Sequence, residues 1–335
     1  MTTVTPAAVA ADAPKTGSWL GGRWMRFALR RAARLLVSLW VLVTAAFFMI
    51  RAVPGDPVRA ALGITAPPDL VAAKRAEFGL DDPLWKQYVH YLNNLVHGDL
   101  GTSFVTQLPV RQMVSQRLPA TAELAVAAFV VAVLIAIPVG LAIAAATRRG
   151  RGRRTEVVFA GTSVVLGTIP DFFLGVGLVY IFGVSMHALP VAGRDGFTSF
   201  VLPVVSLAIG PAAVLARIVR VEVLAVLETD YIRTARAKRI RPFRIYLAHA
   251  LPNAVTATLT IGGLLLGSLV AGTVLVENVF AWPGLGSTIV SSITAKDFPM
   301  VQATVLVYGV GVLLINTVVD VALAILDPRS AIGDL

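Results

Sequence analysis

Carboxylates that interrupt or border apolar runs are the first candidates for chemistry in this 335-residue chain. An ionisable side chain inside a bilayer costs about 2.5–3.5 kcal/mol on insertion scales, so such groups are functional candidates by default. Asp171 lies near the middle of the run 157–184, between Pro170 and Phe172, where an interrupted backbone tolerates a water-lined cavity. Glu123 follows Pro119 at the start of another run, and a capping or interfacial role suits it as well as a functional one. Asp320 and Asn316 are four apart and share a helix face, which fits a structural hydrogen bond between helices. Other chemistries have no foothold. His90, His97, His187 and His249 show no metal-ligand spacing, and HExxH and GxSxG are absent, so neither a metal site nor enzyme chemistry is expected. There is no GxxxxGK[ST] loop to cradle a nucleotide phosphate. With no cysteine, thiolate nucleophiles, disulfides and Cys-ligated metals are excluded.

The elements that hold these groups are membrane helices. Apolar residues make up 56% of the chain and charged residues 14%, against about 45–50% and 25% in soluble domains. A bilayer core of roughly 30 Å needs about 20 mostly apolar residues. Six runs qualify: Leu35–Ile50, Thr121–Thr147, Val157–Val184, Phe200–Ala216, Ala254–Val276 and Thr304–Leu326. Leu29, Ala32 and Ala33 lengthen the first, while Arg30, Arg31 and Arg34 snorkel toward the headgroups. The net charge of +10 invites a nucleic-acid reading, but twenty of the 29 Lys and Arg fall in the amino-terminal tail, the loop 148–154, the loop 217–253 and the tail after the last span. That asymmetry orients the chain with both termini cytoplasmic, and no nucleic-acid partner is expected. The fold class is therefore all-α and integral to the membrane. Residues 1–28 form a cytoplasmic tail, with 1–18 disordered. Then come a first helix at 29–50, an extracytoplasmic cap at 51–120, a five-helix core at 121–326 and a short tail at 327–335.

Two loops carry information. In the cap, Asp69 is expected to cap a short helix running to Phe78, and Trp85, Tyr88, Tyr91 and Leu92 form an apolar face at helical spacing. The loop 217–253 is basic but also carries Ile232, Ile240, Phe243, Ile245, Tyr246 and Leu247. A solvated basic face that only fixes topology would not present these side chains. Two short helices, Tyr231–Lys238 and Phe243–Leu251, interrupted at Pro242, read instead as a docking element. On the fifth run, Gly263, Gly267 and Ala271 form a small-residue stripe that close helix packing explains.

The segment DYIRTARAK…HALPN resembles the EAA loop of ABC-importer permeases. Arg233, Thr234 and Ala235 stand at the Glu-Ala-Ala positions, Arg239 at the usual Gly, and His249, Ala250, Leu251 and Pro252 close the pattern at the family spacing. Arg239 departs from the family, because the left-handed turn that Gly permits there suits Arg poorly. RRAARLLVSLWVLVTAAFFMIRAVPGDP, FGLDDPLWKQYVHYLNNLVHGDLGTSF, RLPATAEL, GTIPDFFLG, VLVENVFAWPGLG and LLINTVVDVALAILDPR are similar, in order, to the B-type subunit of dipeptide and oligopeptide permeases.

The resemblance implies the MetI-like fold of type I ABC importers, in a multi-pass protein of the bacterial plasma membrane. It implies a homologous second permease, two ATPase subunits holding ATP and magnesium, and an extracytoplasmic binding protein. Tyr231, Arg233, Thr234, Ala235, Arg236, Ala237, Lys238, Arg239, Phe243, Arg244, His249, Leu251 and Pro252 would form the coupling loop. Within it, Arg236, Lys238 and Arg244 would position an ATPase while Ala235, Ala237 and Leu247 pack into its groove. At Asp171 the family often has a small hydroxyl residue, so the carboxylate is a departure. Its own place beside Pro170 and Phe172 in a broken span leads to the expectation that Asp171, with these neighbours, lines the translocation pathway and meets a cation such as a peptide amino terminus, or else pairs structurally with the second permease. Glu277, Asn278, Trp282 and Pro283 would lie at the outer mouth facing the binding protein, although aromatic anchoring at the interface explains them equally well. Similar permeases are associated with dipeptides, oligopeptides, nickel complexes and glutathione. The rival reading is a stand-alone secondary transporter or channel, which predicts an inverted repeat between the halves, and none is evident.

Overall fold

The computed structural model describes residues 19–51, 56–63, 65–77, 79–150 and 152–326. The expectations for the stretch 1–18 and the tail 327–335 lie outside the described residues. Helix α1 spans Trp19–Arg51, so it begins ten residues before the expected position 29. The cap holds α2 (Pro57–Leu62), α3 (Pro68–Glu77) and α4 (Leu84–Val96). Asp69 lies inside the first turn of α3 rather than capping it. Helix α5 starts at Val110, within the stretch expected to form the cap, and runs to Thr147 without breaking at Pro119 or Pro138.

Small residues hold the bundle together. Between spans in lipid there is little hydrophobic drive, so close approach and dispersion do the work. On α5 every fourth residue from Ala120 through Leu124, Ala128, Ala132, Ala136 and Gly140 to Ala144 is buried. This ladder meets α8 (Phe197–Leu227) along Leu207, Ala208, Ala212, Leu215, Ala216, Val219 and Val223. At Gly140 a Cβ would lie 2.6 Å from the Ala216 carbonyl oxygen, so no larger residue fits this crossing. Two residues of the expected stripe on α11 (Leu251–Val279) pack similarly, Gly263 and Gly267 against Val319 and Asn316 of α13 (Phe298–Leu326), whereas Ala271 is exposed. The α5 ladder was not singled out from the sequence, because its Ala residues are lost among an apolar background that shows almost no sidedness.

The third apolar run is not one straight helix. It divides into α6 (Arg153–Thr168) and α7 (Asp171–Leu178), the latter extended by a π-helical turn at Val179–Ser185, and the two halves are bent by 95°. Pro170 is the cause: it bars helical geometry at Ile169, whose backbone is extended. Among the described residues five helices are long and apolar enough to span, or six with the bent pair. The pair does connect opposite ends of the bundle. It leaves the turn after α5, and the loop beyond it returns to the other end, where the Gly193 N–H donates to Phe280 O and Arg194 pairs with Glu123. With the bent pair taken as one span, α1 and α13 run antiparallel, paired through Arg31 and Asp320, so that among the described residues Trp19 and Leu326 come at the same end of the bundle.

Two features correct the expected loops. Arg217 and Arg220 lie on α8, which continues to Leu227, and Arg220 reaches Glu156 of α6 at 2.7 Å and Thr147 of α5 at 3.1 Å. A further short apolar helix, α12 (Leu285–Thr294), lies between α11 and α13 in a stretch read as loop. The Asp320 and Asn316 expectation takes a specific form: Asp320 pairs with Arg31 of α1, and the same guanidinium donates to the Asn316 carbonyl at 3.2 Å.

Candidate functional site

Helix α9 (Asp230–Ala237) projects from the end of α8, and the chain returns through α10 (Pro242–Arg244) and a π-helical segment, Ile245–Ala250, directly into α11. The second short helix expected from the sequence is thus the first turns of the fifth span. A helix continuous with a span transmits displacement better than one joined by a loop. The turn between the two arms is a Schellman motif: Ile240 N–H donates to Ala235 O at 3.2 Å and Arg239 N–H to Arg236 O at 2.9 Å. This motif wants glycine at the position Arg239 occupies, and Arg239 adopts φ +55°. The departure from the family pattern therefore leaves the bend intact, at a strain cost of about 1–2 kcal/mol.

Side-chain contacts lock the two arms together. The Tyr231 hydroxyl donates to His249 O at 3.1 Å, and Asn253 Nδ2 donates to the Tyr231 oxygen at 3.1 Å and to His249 O at 2.7 Å. Ile232 and Ile245 are fully or nearly fully buried with Val219, Val223 and Leu227 of α8 and Ala144 of α5. Ala235 is also buried, so it packs within the chain and is not offered outward. The outward face consists of Tyr231, Arg233, Thr234, Ala237, Lys238, Arg239, Phe243, Arg244 and Leu247. Phe243 is the most exposed large apolar residue among them, at 76%. Leu251 and His249 are partly covered and Pro252 is exposed. Arg236 is partly covered and donates to Leu227 O at 3.1 Å. Burial, then the nearby Arg148 and Arg149 guanidiniums, push its pKa below the usual arginine value. The result is an apolar knob in a cationic rim, mounted on α8 and α11.

The 95° bend places Asp171 at the first turn of α7, between two glycines of neighbouring spans. A Cβ on Gly272 of α11 would lie 3.1 Å from Asp171 Oδ2, and one on Gly210 of α8 would lie 3.5 Å from Oδ1. The carboxylate is half-buried in the crevice between α8 and α11, while Phe172 and Pro170 are exposed beside it. Among the described residues it has no basic partner within the chain.

Two of the four residues expected at the outer mouth have fully buried side chains. Trp282 is fully buried, with its Nε1 donating to Ala120 O at 3.0 Å and its ring edge-on to Phe200 at 4.6 Å. It is therefore not an interfacial anchor. Glu277 is likewise fully buried, accepting from Thr121 Oγ1 at 2.7 Å and Ser287 N–H at 3.0 Å, while Thr121 Oγ1 accepts from Leu285 N–H at 2.8 Å. These bonds tie α5, α11 and α12 together. A Cβ at Gly284 would lie 2.3 Å from the Glu277 carboxyl, which explains the glycine in this turn. Pro283 is partly covered, and only Asn278 is exposed.

Residues 136–332 match the family model for the binding-protein-dependent transport system inner membrane component, and residues 24–125 match the N-terminal model of such membrane components. The chain is 36% identical over 304 residues to the glutathione transport system permease protein GsiC of Escherichia coli (strain K12), covering 91% of this chain and 98% of the relative. The GsiC protein of Pectobacterium atrosepticum gives the same identity and coverage. Among solved structures, an inward-facing conformation of the MetNI methionine ABC transporter matches with a TM-score of 0.52 at 20% identity, covering 64% of this chain and 97% of the other. That likeness concerns the fold.

Proposed function

Since the chain belongs to the family of binding-protein-dependent transport system inner membrane components, and is thus a multi-pass membrane permease, we propose that it forms half of the translocation path of an ATP-driven importer of small peptides. The relatives named for glutathione transport support a peptide cargo, glutathione included. A homologous permease would complete the path, an extracytoplasmic binding protein would deliver cargo, and two ATPase subunits would hold ATP and magnesium.

The observation that carries this reading is the knob of α9, α10 and the π-helical segment Ile245–Ala250. It exposes Phe243, Leu247 and Ala237 in a basic rim, yet is braced by buried Ile232 and Ile245 against α5 and α8. A load applied there moves the core rather than a loop. ATP-driven closure of the ATPase pair would push the knob, and the spans would rock between inward- and outward-open states. Asp171 would face the pathway and meet the ammonium of the cargo.

The test is assembly and uptake in vesicles. Ala237→Asp and Phe243→Asp change surface positions and are expected to reduce ATPase co-purification and abolish ATP-dependent uptake while the permease still folds. Ala235→Asp is unsuitable, because a charge there would be buried inside the chain. Normal uptake and ATPase recovery in both surface variants would overturn the coupling assignment. Uptake by the purified chain alone without ATP would favour the stand-alone transporter. Asp171→Asn is expected to change transport rate or substrate preference, and unchanged transport would remove it from the pathway.

A further inference from the structure

On the side of the knob, α5 ends at Arg148, the first charged residue after Glu123 along that helix. The change from an apolar run to arginine marks the headgroup layer of a bilayer. Ala144 of α5 shares a buried cluster with Ile232 of α9 and Leu227 of α8. Arg148 stands four residues beyond Ala144, and Arg236 four beyond Ile232, so each lies one turn from this contact on the same side of its helix. Arg236 is turned inward, and its guanidinium donates to Leu227 O at 3.1 Å. Burial, and then repulsion from Arg148 and Arg149, lower its pKa, in keeping with three guanidiniums drawn together at this corner. Among the described residues none of the three forms an ion pair. Glu156 in the first turn of α6 is committed to Arg220 at 2.7 Å, and Asp230 in the first turn of α9 to Arg233 at 3.1 Å. Like charges that converge without an acid repel one another, and a phosphate answers several guanidiniums at once through charge-assisted hydrogen bonds. Val157 and Val158 in the next turn of α6 are exposed, so an apolar chain attached to that phosphate has a path along the span.

We propose that Arg148, Arg149 and Arg236 bind the phosphate of an anionic phospholipid in the leaflet on the knob side, with an acyl chain running along Val157 and Val158 of α6. An acidic surface of an ATPase is the other occupant these charges suit, but Arg236 faces the end of α8, not outward with Arg233, Lys238, Arg239 and Arg244. A soluble phosphate gains nothing from the exposed valines or from a site at headgroup height. The lipid bridges the end of α5 to α9 and stiffens the root of the knob. This site rests only on the chain being a membrane protein and is independent of its cargo.

The test counts the lipids retained by the purified full chain in detergent micelles, by native mass spectrometry, using phosphatidylglycerol and phosphatidylcholine with identical acyl chains. Phosphatidylglycerol is expected to bind saturably and at least about tenfold more tightly than phosphatidylcholine, a comparison that requires no variant. Arg148→Gln/Arg149→Gln is expected to weaken phosphatidylglycerol binding about thirtyfold, and Arg236→Gln about fivefold. Arg239→Gln/Arg244→Gln removes the same charge from the outward face of the knob and is expected to change it less than about twofold. Inorganic phosphate is expected not to displace the lipid. Equal binding of the two lipids, an equal loss in the Arg239→Gln/Arg244→Gln variant, or displacement by inorganic phosphate would each overturn the assignment. So would wild-type lipid affinity in Arg148→Gln/Arg149→Gln, and a fall in ATPase recovery alongside it would give the cluster to the ATPase instead.

Discussion

Replacing Glu277 with Ala removes the acceptor that joins three helices while leaving its donors in place. The Ser287 N–H at 3.0 Å and the Thr121 hydroxyl at 2.7 Å are both inside the protein and lose their partner together. Each buried donor left unsatisfied costs about 1–3 kcal/mol, so the turn and the start of α12 should loosen by about 2–6 kcal/mol. At 1.4 kcal/mol per factor of ten, local opening becomes roughly thirtyfold to ten-thousandfold more frequent. The assay is amide hydrogen exchange resolved at Leu285 and Ser287 in nanodiscs, with α6 as an internal reference. Glu277→Gln keeps one acceptor oxygen and should fall between wild type and Ala. Gly284→Ala places a methyl group 2.3 Å from the carboxyl oxygen and should reproduce the Ala phenotype with Glu277 present. If exchange at Leu285 and Ser287 in Glu277→Ala stays within about threefold of wild type, the carboxyl group does not hold this turn and the reasoning fails.

Three further outcomes follow from other parts of the chain. Arg239→Gly relieves the left-handed backbone at φ +55° and should stabilise the turn between α9 and α10 by about 1 kcal/mol, seen as slower exchange at Ile240 and refuted by faster exchange. Gly263→Ala puts a Cβ 2.1 Å from Val319 Cγ1 and should cost about 1–3 kcal/mol in reversible unfolding from mixed micelles, with no loss if α11 and α13 do not pack this closely. Burial of Asp56 alone would raise its pKa, but hydrogen bonds from Arg75 and from the Arg59 and Val58 amides outweigh that and hold it below the usual carboxylate value. Its contribution is therefore present above the unfolded value near 3.9 and is lost as pH falls through the lower folded value. Protection of α2 should persist to about pH 4 and decline only below it, and a decline already near neutral pH would contradict this.

How far the sequence was legible differs between kinds of feature. Span positions followed from hydropathy, because each span satisfies its own backbone in lipid. Their ends did not: α5 starts at Val110 and α8 ends at Leu227, since polar helix outside the bilayer leaves no hydropathy signal. Pro170 marked a break in the third run, but the 95° angle depends on how α7 packs against α8 and α11. Trp282 looked like an interfacial aromatic because sequence gives its type and approximate height, not whether Ala120 and Phe200 surround it.

The linear order of residues by itself determined that this chain lives in a membrane, roughly where it crosses, and which segment resembles the EAA loop of the permeases. Those properties are set by composition and spacing within about 20–40 consecutive residues. Only the tertiary structure decided which face of that segment is free, and it turned Ala235 inward and Phe243 outward. It also brought Glu277 to Thr121 across 156 positions and set Asp171 between Gly210 and Gly272. The physical reason is that these contacts join spans distant in sequence, and their geometry depends on how closely small residues let the helices approach.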